Sequence, residues 1–150
     1  MLIMQAMPVA RGSSSGTRQT TGRVLVVDDD PMVARSIALI LSAYSVDIAN
    51  SGAEALARIA EGWRYDVILC DVMMPSMTGP ELFERLVDTA PAAAERVVFM
   101  TGCALLPEVR VFLERVASPC LEKPLDIDGL RALVEDRVRN SRTPASERLA

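Results

Sequence analysis

Histidine is missing from the sequence, which has 150 residues. Its absence excludes a histidine-based catalytic triad, most catalytic zinc sites and any phosphohistidine within this chain. The three cysteines, Cys70, Cys103 and Cys120, do not form the CxxC pairs of zinc and redox sites. We therefore expect reduced thiols and a cytoplasmic protein. Cys70 and Cys120 fall on predicted strands and are expected to be buried, and Cys103 falls on a predicted loop.

Aromatic residues and positive charge are also scarce. Aromatic side chains make up 4% of the sequence and the net charge is −4. The chain therefore has neither the stacking platform nor the basic surface that binds nucleic acid. No apolar run approaches the roughly 18 residues that cross a membrane. We expect no nucleic acid partner and no membrane insertion by this chain itself.

The composition that remains is that of one globular domain with flanking tails. Half of the residues are hydrophobic and about a quarter are charged. Residues 1–22 begin with an apolar stretch that lacks the basic start of a secretory signal, and they end rich in Ser, Gly and Thr. We interpret 1–22 as a disordered tail or linker, 23–140 as the folded domain and 141–150 as a flexible C-terminal tail.

Short apolar runs alternate with segments of helical period from Arg23 onward. The strand-like runs are "RVLVV", "VDIA", "YDVILC", "RVVFMT" and "PCLEK", and a helical segment follows each of them. This alternation predicts an α/β fold, an open parallel sheet with helices on both faces. No GxGxxG motif follows the first strand, so a dinucleotide-binding domain is excluded.

Polar side chains stand at the carboxyl ends of four predicted strands, where ligands bind in such sheets. They are Asp28, Asp29, Asp71, Thr101 and Lys123. Clustered carboxylates favour a hard divalent cation such as Mg²⁺. A carboxylate beside a metal and an ammonium can attack phosphorus, because both cations neutralise phosphoryl oxygens. The next acid, Asp30, precedes Pro31 and is interpreted as a helix cap.

Four motifs, "VLVVDDDP", "DVMMPSMTG", "MTG" and "LEKPLD", occur in this order. Through them the chain from about 23 to 140 resembles the receiver domain of bacterial two-component response regulators. The resemblance implies a flavodoxin-like (βα)5 three-layer sandwich whose five-stranded parallel sheet has the order 2-1-3-4-5. It also implies a phosphoacceptor in a phosphorelay, either a stand-alone receiver or the terminal receiver of a hybrid histidine kinase.

The family assigns roles to individual residues of this sequence. Asp71 would accept a phosphoryl group from the phosphohistidine of a histidine kinase or a histidine phosphotransfer domain. Mg²⁺ would be held by Asp28, Asp29, Asp71 and the backbone carbonyl of Met73. The phosphoryl oxygens would be bound by Thr101, Lys123 and the backbone amides of Met73 and Gly102. The Lys123–Pro124 peptide bond would be cis, as is common in the family.

One departure concerns the switch position three residues before the lysine. The family usually has Tyr or Phe there, whose ring responds to phosphorylation, whereas this sequence has Cys120. The resemblance also implies a possible homodimer through the fourth predicted helix, the fifth strand and the fifth helix.

Two other functions compete with the receiver, which is not itself an enzyme with an external substrate. An interaction scaffold independent of phosphorylation would keep the fold without the chemistry, but the complete set of site residues argues against it. A phosphatase with Asp71 as nucleophile would usually carry a general acid two residues later, where this chain has Met73.

Overall fold

The computed structural model describes residues 21–102 and 106–142. Within them a five-stranded sheet has the order β2-β1-β3-β4-β5, and every neighbouring pair is parallel. The strands are β1 (Arg23–Val27), β2 (Ser45–Ala49), β3 (Val67–Asp71), β4 (Val97–Thr101) and β5 (Cys120–Glu122). The predicted flavodoxin-like topology is confirmed.

Six helices connect and flank these strands in the described part of the chain. They are α1 (Pro31–Ile40), α2 (Gly52–Ala60), α3 (Gly79–Thr89), α4 (Pro91–Ala94), α5 (Pro107–Arg115) and α6 (Ile127–Arg142). Five correspond to the predicted helices. The single turn α4 was not predicted, because four residues are too few to show a helical period. The tail residues 1–20 and 143–150 lie outside the described residues, as does Cys103.

Helix starts follow the capping residues in the sequence. The Asp30 side chain accepts hydrogen bonds from the backbone amides at the start of α1, and Ser51 does the same for α2. Before α3, Thr78 and Glu81 form a reciprocal capping box. Asp30 and Ser51 lie three and two residues after β1 and β2, and Thr78 lies seven residues after β3. The caps therefore begin helices at the carboxyl edge of the sheet.

The hydrophobic core lies in two layers, one on each side of the sheet. Alternate residues of β1 divide between them: Val24 and Val26 pack with α1 and α6, and Leu25 and Val27 pack on the α2, α3 and α5 side. All five residues of β3 are buried, as expected for a central parallel strand covered on both faces. The three-layer arrangement is therefore confirmed.

The cysteine prediction was right for one strand position and wrong for the other. Cys70 on central β3 is fully buried, whereas Cys120 on β5 is exposed. The reason is that β5 is a three-residue edge strand with β4 as its one neighbour in the sheet. A short edge strand is less fully covered than a central one.

No helix among residues 21–102 and 106–142 combines the length and apolar character needed to cross a membrane.

Candidate phosphoryl and metal site

The sheet brings the five predicted side chains to one edge. Asp28 and Asp29 directly follow β1, Asp71 ends β3, Thr101 ends β4 and Lys123 directly follows β5. These strands are neighbours in the order β1-β3-β4-β5, and their carboxyl ends therefore lie side by side. Residues 95 positions apart, Asp28 and Lys123, are thus in direct contact.

Three carboxylates form the centre of this site. Asp28, Asp29 and Asp71 each offer an oxygen, and these oxygens all lie within 4.8 Å of one another. Asp28 and Asp71 are buried, at 1% and 8% exposure, whereas Asp29 is exposed. The cluster is therefore open to solvent on one side. An all-oxygen donor set of this kind fits a hard cation such as Mg²⁺ better than it fits zinc.

Local hydrogen bonds hold Asp28 in place. Its backbone amide donates to Ala49 O at 3.1 Å, which continues the β1–β2 pairing by one residue. Its Oδ1 accepts from the Asp30 amide at 2.9 Å, which stabilises the turn into α1. The second oxygen, Oδ2, remains directed toward Lys123. The side chain is thus oriented before any ligand binds.

Lys123 supplies the positive charge of the site. Its Nζ lies 3.0 Å from Asp28 Oδ2 and 3.5 Å from Asp71 Oδ2. The Lys123 amide donates to Thr101 O at 2.8 Å, and the Lys123–Pro124 bond is cis, as the resemblance implied. Burial alone would lower the pKa of the ammonium, but the Asp28 hydrogen bond and the two carboxylate charges outweigh burial and raise it. Lys123 is therefore a cation at neutral pH.

For the Asp71 carboxyl, in contrast, burial has the larger effect on the pKa. Burial raises its pKa, and the Asp28 charge adds to this, while Lys123 and a hydrogen bond from the Met73 amide lower it without full compensation. Burial and the Asp28 charge therefore outweigh the stabilisation that Lys123 gives to ionised Asp71. A cation bound at the cluster would favour the ionised form of Asp71.

The backbone positions predicted for phosphoryl binding also lie here. The Met73 amide already faces the Asp71 carboxylate, and the Met73 side chain is 49% exposed. Gly102 follows β4, and a Cβ atom built on it would have the Lys123 Cβ, at 4.0 Å, as its nearest neighbour. Thr101 is 1% exposed. The roles of Met73 O and Gly102 N remain predictions.

Sequence reasoning missed a glycine that shapes the site. A Cβ atom on Gly79 would lie 2.6 Å from Asp71 O and 2.9 Å from Val72 Cα. The Gly79 amide donates to Val72 O at 2.8 Å, so α3 begins in direct backbone contact with the end of β3. The signal was present in the sequence, because a glycine at a helix start runs against the usual preference. Ser76, in the same loop, has a φ of 65°.

Cys120 sits beside the aromatic part of the core. It pairs in register with Phe99, whose ring contacts Phe112 at 5.2 Å between centroids and Phe83 at 5.8 Å. Burial, with a smaller contribution from Glu122, raises the pKa of the Cys120 thiol. Cys120 therefore supplies no aromatic ring, but it lies beside a cluster of three phenylalanine rings.

A family model described as the response regulator receiver domain matches residues 24–135. The chain is 32% identical over 128 residues to YkoG, an uncharacterized transcriptional regulatory protein of Bacillus subtilis, covering 84% of this chain and 55% of YkoG. It is 36% identical over 124 residues to the sensor histidine kinase RcsC of Salmonella typhi, covering 79% of this chain and 13% of RcsC.

Among solved structures, the chain resembles the signal receiver domain of a signal transduction histidine kinase from Syntrophus aciditrophicus. The TM-score is 0.71 at 29% identity, with 83% of this chain and 96% of that one covered. The chain spans about half or less of the curated relatives it matches, whereas it covers nearly all of this isolated receiver.

Proposed function

Since the chain belongs to the response regulator receiver domains, we propose that it accepts a phosphoryl group from a partner phosphohistidine onto Asp71. The observation that carries this proposal is that Asp71 lies beside two carboxylates and one ammonium at the carboxyl edge of the sheet. Its carboxylate lies within 4.8 Å of those of Asp28 and Asp29, and 3.5 Å from the Lys123 ammonium.

In the proposed reaction, an oxygen of Asp71 attacks phosphorus. A P–O bond forms, the P–N bond to the partner's histidine breaks, and its electron pair returns to the imidazole ring. The phosphoryl oxygens carry the negative charge of the transition state, and positioned cations and donors stabilise it. Lys123 Nζ is the protein cation in reach, and Thr101 and the amides of Met73 and Gly102 are proposed as donors.

The donor set fits Mg²⁺, with Asp28, Asp29, Asp71 and the Met73 carbonyl as the proposed protein ligands. When bound, Mg²⁺ would neutralise charge on the phosphoryl oxygens. The contribution of the chain is to hold the carboxylates together against their mutual repulsion. Asp28 is held by the Asp30 amide, and β3 carries Asp71 into the same edge.

The phosphohistidine must come from a partner, because this chain has no histidine. We propose a histidine kinase or a histidine phosphotransfer domain as that partner. An apolar groove of about 320 Å³ adjoins the site, lined by α1 and by the segment from Lys123 to Leu125, and Met32 at its border is 71% exposed. A partner that reaches Asp71 would cover this groove.

We extend the proposal to the whole domain on the family resemblance. Residues 23–140 would act as the receiver unit, in the cytoplasm, and the proposal covers both a stand-alone receiver and a receiver within a hybrid histidine kinase. Phosphorylation would change the interaction surface, with the α5–β5–α6 face as a possible homodimer contact. The chain would assist its own phosphorylation and dephosphorylation but would not turn over a separate substrate.

The test is the intact mass of the chain after incubation with Mg²⁺ and acetyl phosphate. We expect one adduct of about 80 Da, the mass of one added phosphoryl group. Asp71→Asn should abolish the adduct, and Asp88→Asn, at an exposed acid on α3, should retain it. Removal of Mg²⁺ with EDTA should prevent the adduct in every variant.

Other outcomes would favour the alternatives. A folded wild-type chain that binds Mg²⁺ but gains no mass, from acetyl phosphate or from a panel of phosphorylated histidine kinases, would support the scaffold. Multiple turnover of a phosphate monoester, lost in Asp71→Asn, would support the phosphatase instead.

A further inference from the structure

A second cavity lies at the opposite edge of the sheet from Asp71. It has a volume of about 370 Å³ and is bordered by the end of α2, the loop from α2 to β3, the start of β3 and the segment from Ala90 to Arg96 that contains α4. Cavities that bind small molecules begin at about 300 Å³. None of the residues that line it belongs to the phosphoryl site.

Part of the cavity wall is formed by apolar and aromatic side chains. Ile68 and Tyr65 are buried on one side, and Trp63 is 44% exposed on another. The Arg23 guanidinium lies 4.6 Å from the Trp63 ring centroid and is itself paired with Asp47 at 3.4 Å. This cation–π contact packs one face of the indole against Arg23 at the border of the cavity.

Two positive charges at the cavity lack partners. Arg64 and Arg96 both line it, and in the described part of the chain neither has a carboxylate within 4.0 Å. The neighbouring arginines differ, because Arg23 and Arg58 both pair with Asp47. The cavity therefore combines apolar side chains with two guanidinium groups that no carboxylate of the described residues neutralises at close range.

We propose that this cavity binds a small amphipathic carboxylate. Its apolar body would contact Trp63 and Ile68, and its carboxylate would accept hydrogen bonds from Arg64 and Arg96. Guanidinium groups bind carboxylates by such charge-assisted pairs. The chemistry requires both parts, since a short inorganic anion would leave the apolar walls in water and an uncharged chain would leave the arginines unpaired.

Trp63 is the one tryptophan of the sequence, so its fluorescence reports on this cavity directly. The experiment titrates the full chain with octanoate and follows Trp63 emission, with 1-octanol and sodium chloride as matched probes. We expect a saturable blue shift with octanoate, because the indole loses contact with water. Octanol should bind about tenfold more weakly or worse, and chloride should produce no shift.

Arginine variants test whether the carboxylate of octanoate binds at the proposed position. Arg64→Gln and Arg96→Gln should each weaken octanoate binding by about tenfold, the loss of one charge-assisted pair. Arg85→Gln, at an exposed arginine of α3, is the matched control and should bind like wild type. Far-UV circular dichroism of each variant is the check that it is folded, so failure here is separate from failure of the proposed function.

Two results would overturn the proposal. One is equal response to octanoate and octanol, which would mean that the cavity binds apolar chains without charge recognition. The other is a response in Arg64→Gln and Arg96→Gln that equals that of Arg85→Gln.

Discussion

The three consecutive aspartates that follow β1 each make different contacts. Asp30 caps α1, and Asp28 divides its oxygens between the Asp30 amide and Lys123. Asp29 is left exposed beside both Asp28 and Asp71. Like charges in a row are unfavourable in a strand, but each of these has a separate role after the strand ends. The crowding is thus explained by one cap and two members of the carboxylate cluster.

Gly79 gives the first prediction at this scale. Gly79→Ala should lower the free energy of unfolding by about 1–3 kcal/mol, because its Cβ would overlap backbone atoms that cannot move aside. Urea denaturation followed by circular dichroism measures this. Gly102→Ala is the control, since its Cβ has 4.0 Å of clearance, and a change of less than about 0.5 kcal/mol is expected. Equal losses in both variants would contradict the proposed steric cause.

The exposed thiol gives the second prediction. In a Cys103→Ser background, native protein should show one thiol that reacts with DTNB, Cys120, and a second, Cys70, that reacts after unfolding. Because the pKa of the Cys120 thiol is raised, its reaction at neutral pH should be slower than that of free cysteine. Cys120→Ser should abolish the native reaction. A native reaction that survives in this variant would mean that Cys70 is accessible.

At the level of elements, the sequence predicted the strands and long helices well because each is coded locally. The continuous apolar run of β3 and the caps Asp30 and Ser51 are visible in the sequence, and the sheet order followed from the resemblance. The turn α4 and the exposure of Cys120 were not visible. The first is too short for a periodic signal, and the second depends on β5 being an edge strand, which is a property of the assembled sheet.

The site was predictable to the extent that it lies at strand ends. The sequence placed Asp28, Asp71 and Lys123 at one edge, because parallel strands end together. It did not indicate that one Asp28 oxygen is committed to the Asp30 amide, nor that Gly79 contacts the Asp71 backbone. Such contacts depend on distances between elements, and no local pattern encodes them.

The capping box of α3 allows a test at the scale of an element. Thr78→Ala removes the side-chain acceptor for the Glu81 amide at 3.3 Å and should cost about 1 kcal/mol of unfolding free energy. Thr89→Ala, at the other end of α3, is the matched control, because its hydroxyl bonds within the helix to Arg85 O and its loss should be near neutral. Chemical denaturation distinguishes them. A larger loss for Thr89→Ala would contradict the capping interpretation.

At the scale of the whole molecule, one carboxylate joins the two ends of the described fold. Asp66 accepts from the Arg23 amide at 2.8 Å and from the Ser141 hydroxyl at 2.6 Å, and Arg142 lies 3.5 Å away. The contact therefore ties the start of β1 to the end of α6 through the residue before β3. Sequence separations of 43 and 75 residues make it a purely tertiary feature.

These contacts of Asp66 predict a specific pH dependence of the free energy of unfolding. Burial would raise the pKa of Asp66, but the bonds from Ser141 and Arg23 and the charge of Arg142 outweigh burial and lower it. A lowered pKa in the folded state means that ionised Asp66 stabilises the fold at every pH above the ordinary carboxyl value of about 4. That contribution is lost as the pH falls below about 4 and through the folded-state pKa.

The measurement compares urea unfolding of wild type and Asp66→Asn from neutral pH down to about pH 3. We expect the wild type to be more stable by about 1–3 kcal/mol at neutral pH, the usual value for a carboxylate with several donors. The difference should narrow steadily below about pH 4, because protonated Asp66 then resembles the amide. Asp88→Asn, which removes an exposed carboxylate, should parallel the wild type throughout. A gap between wild type and Asp66→Asn that stays constant across this range would show that Asp66 acts through shape and neutral hydrogen bonding rather than through its charge.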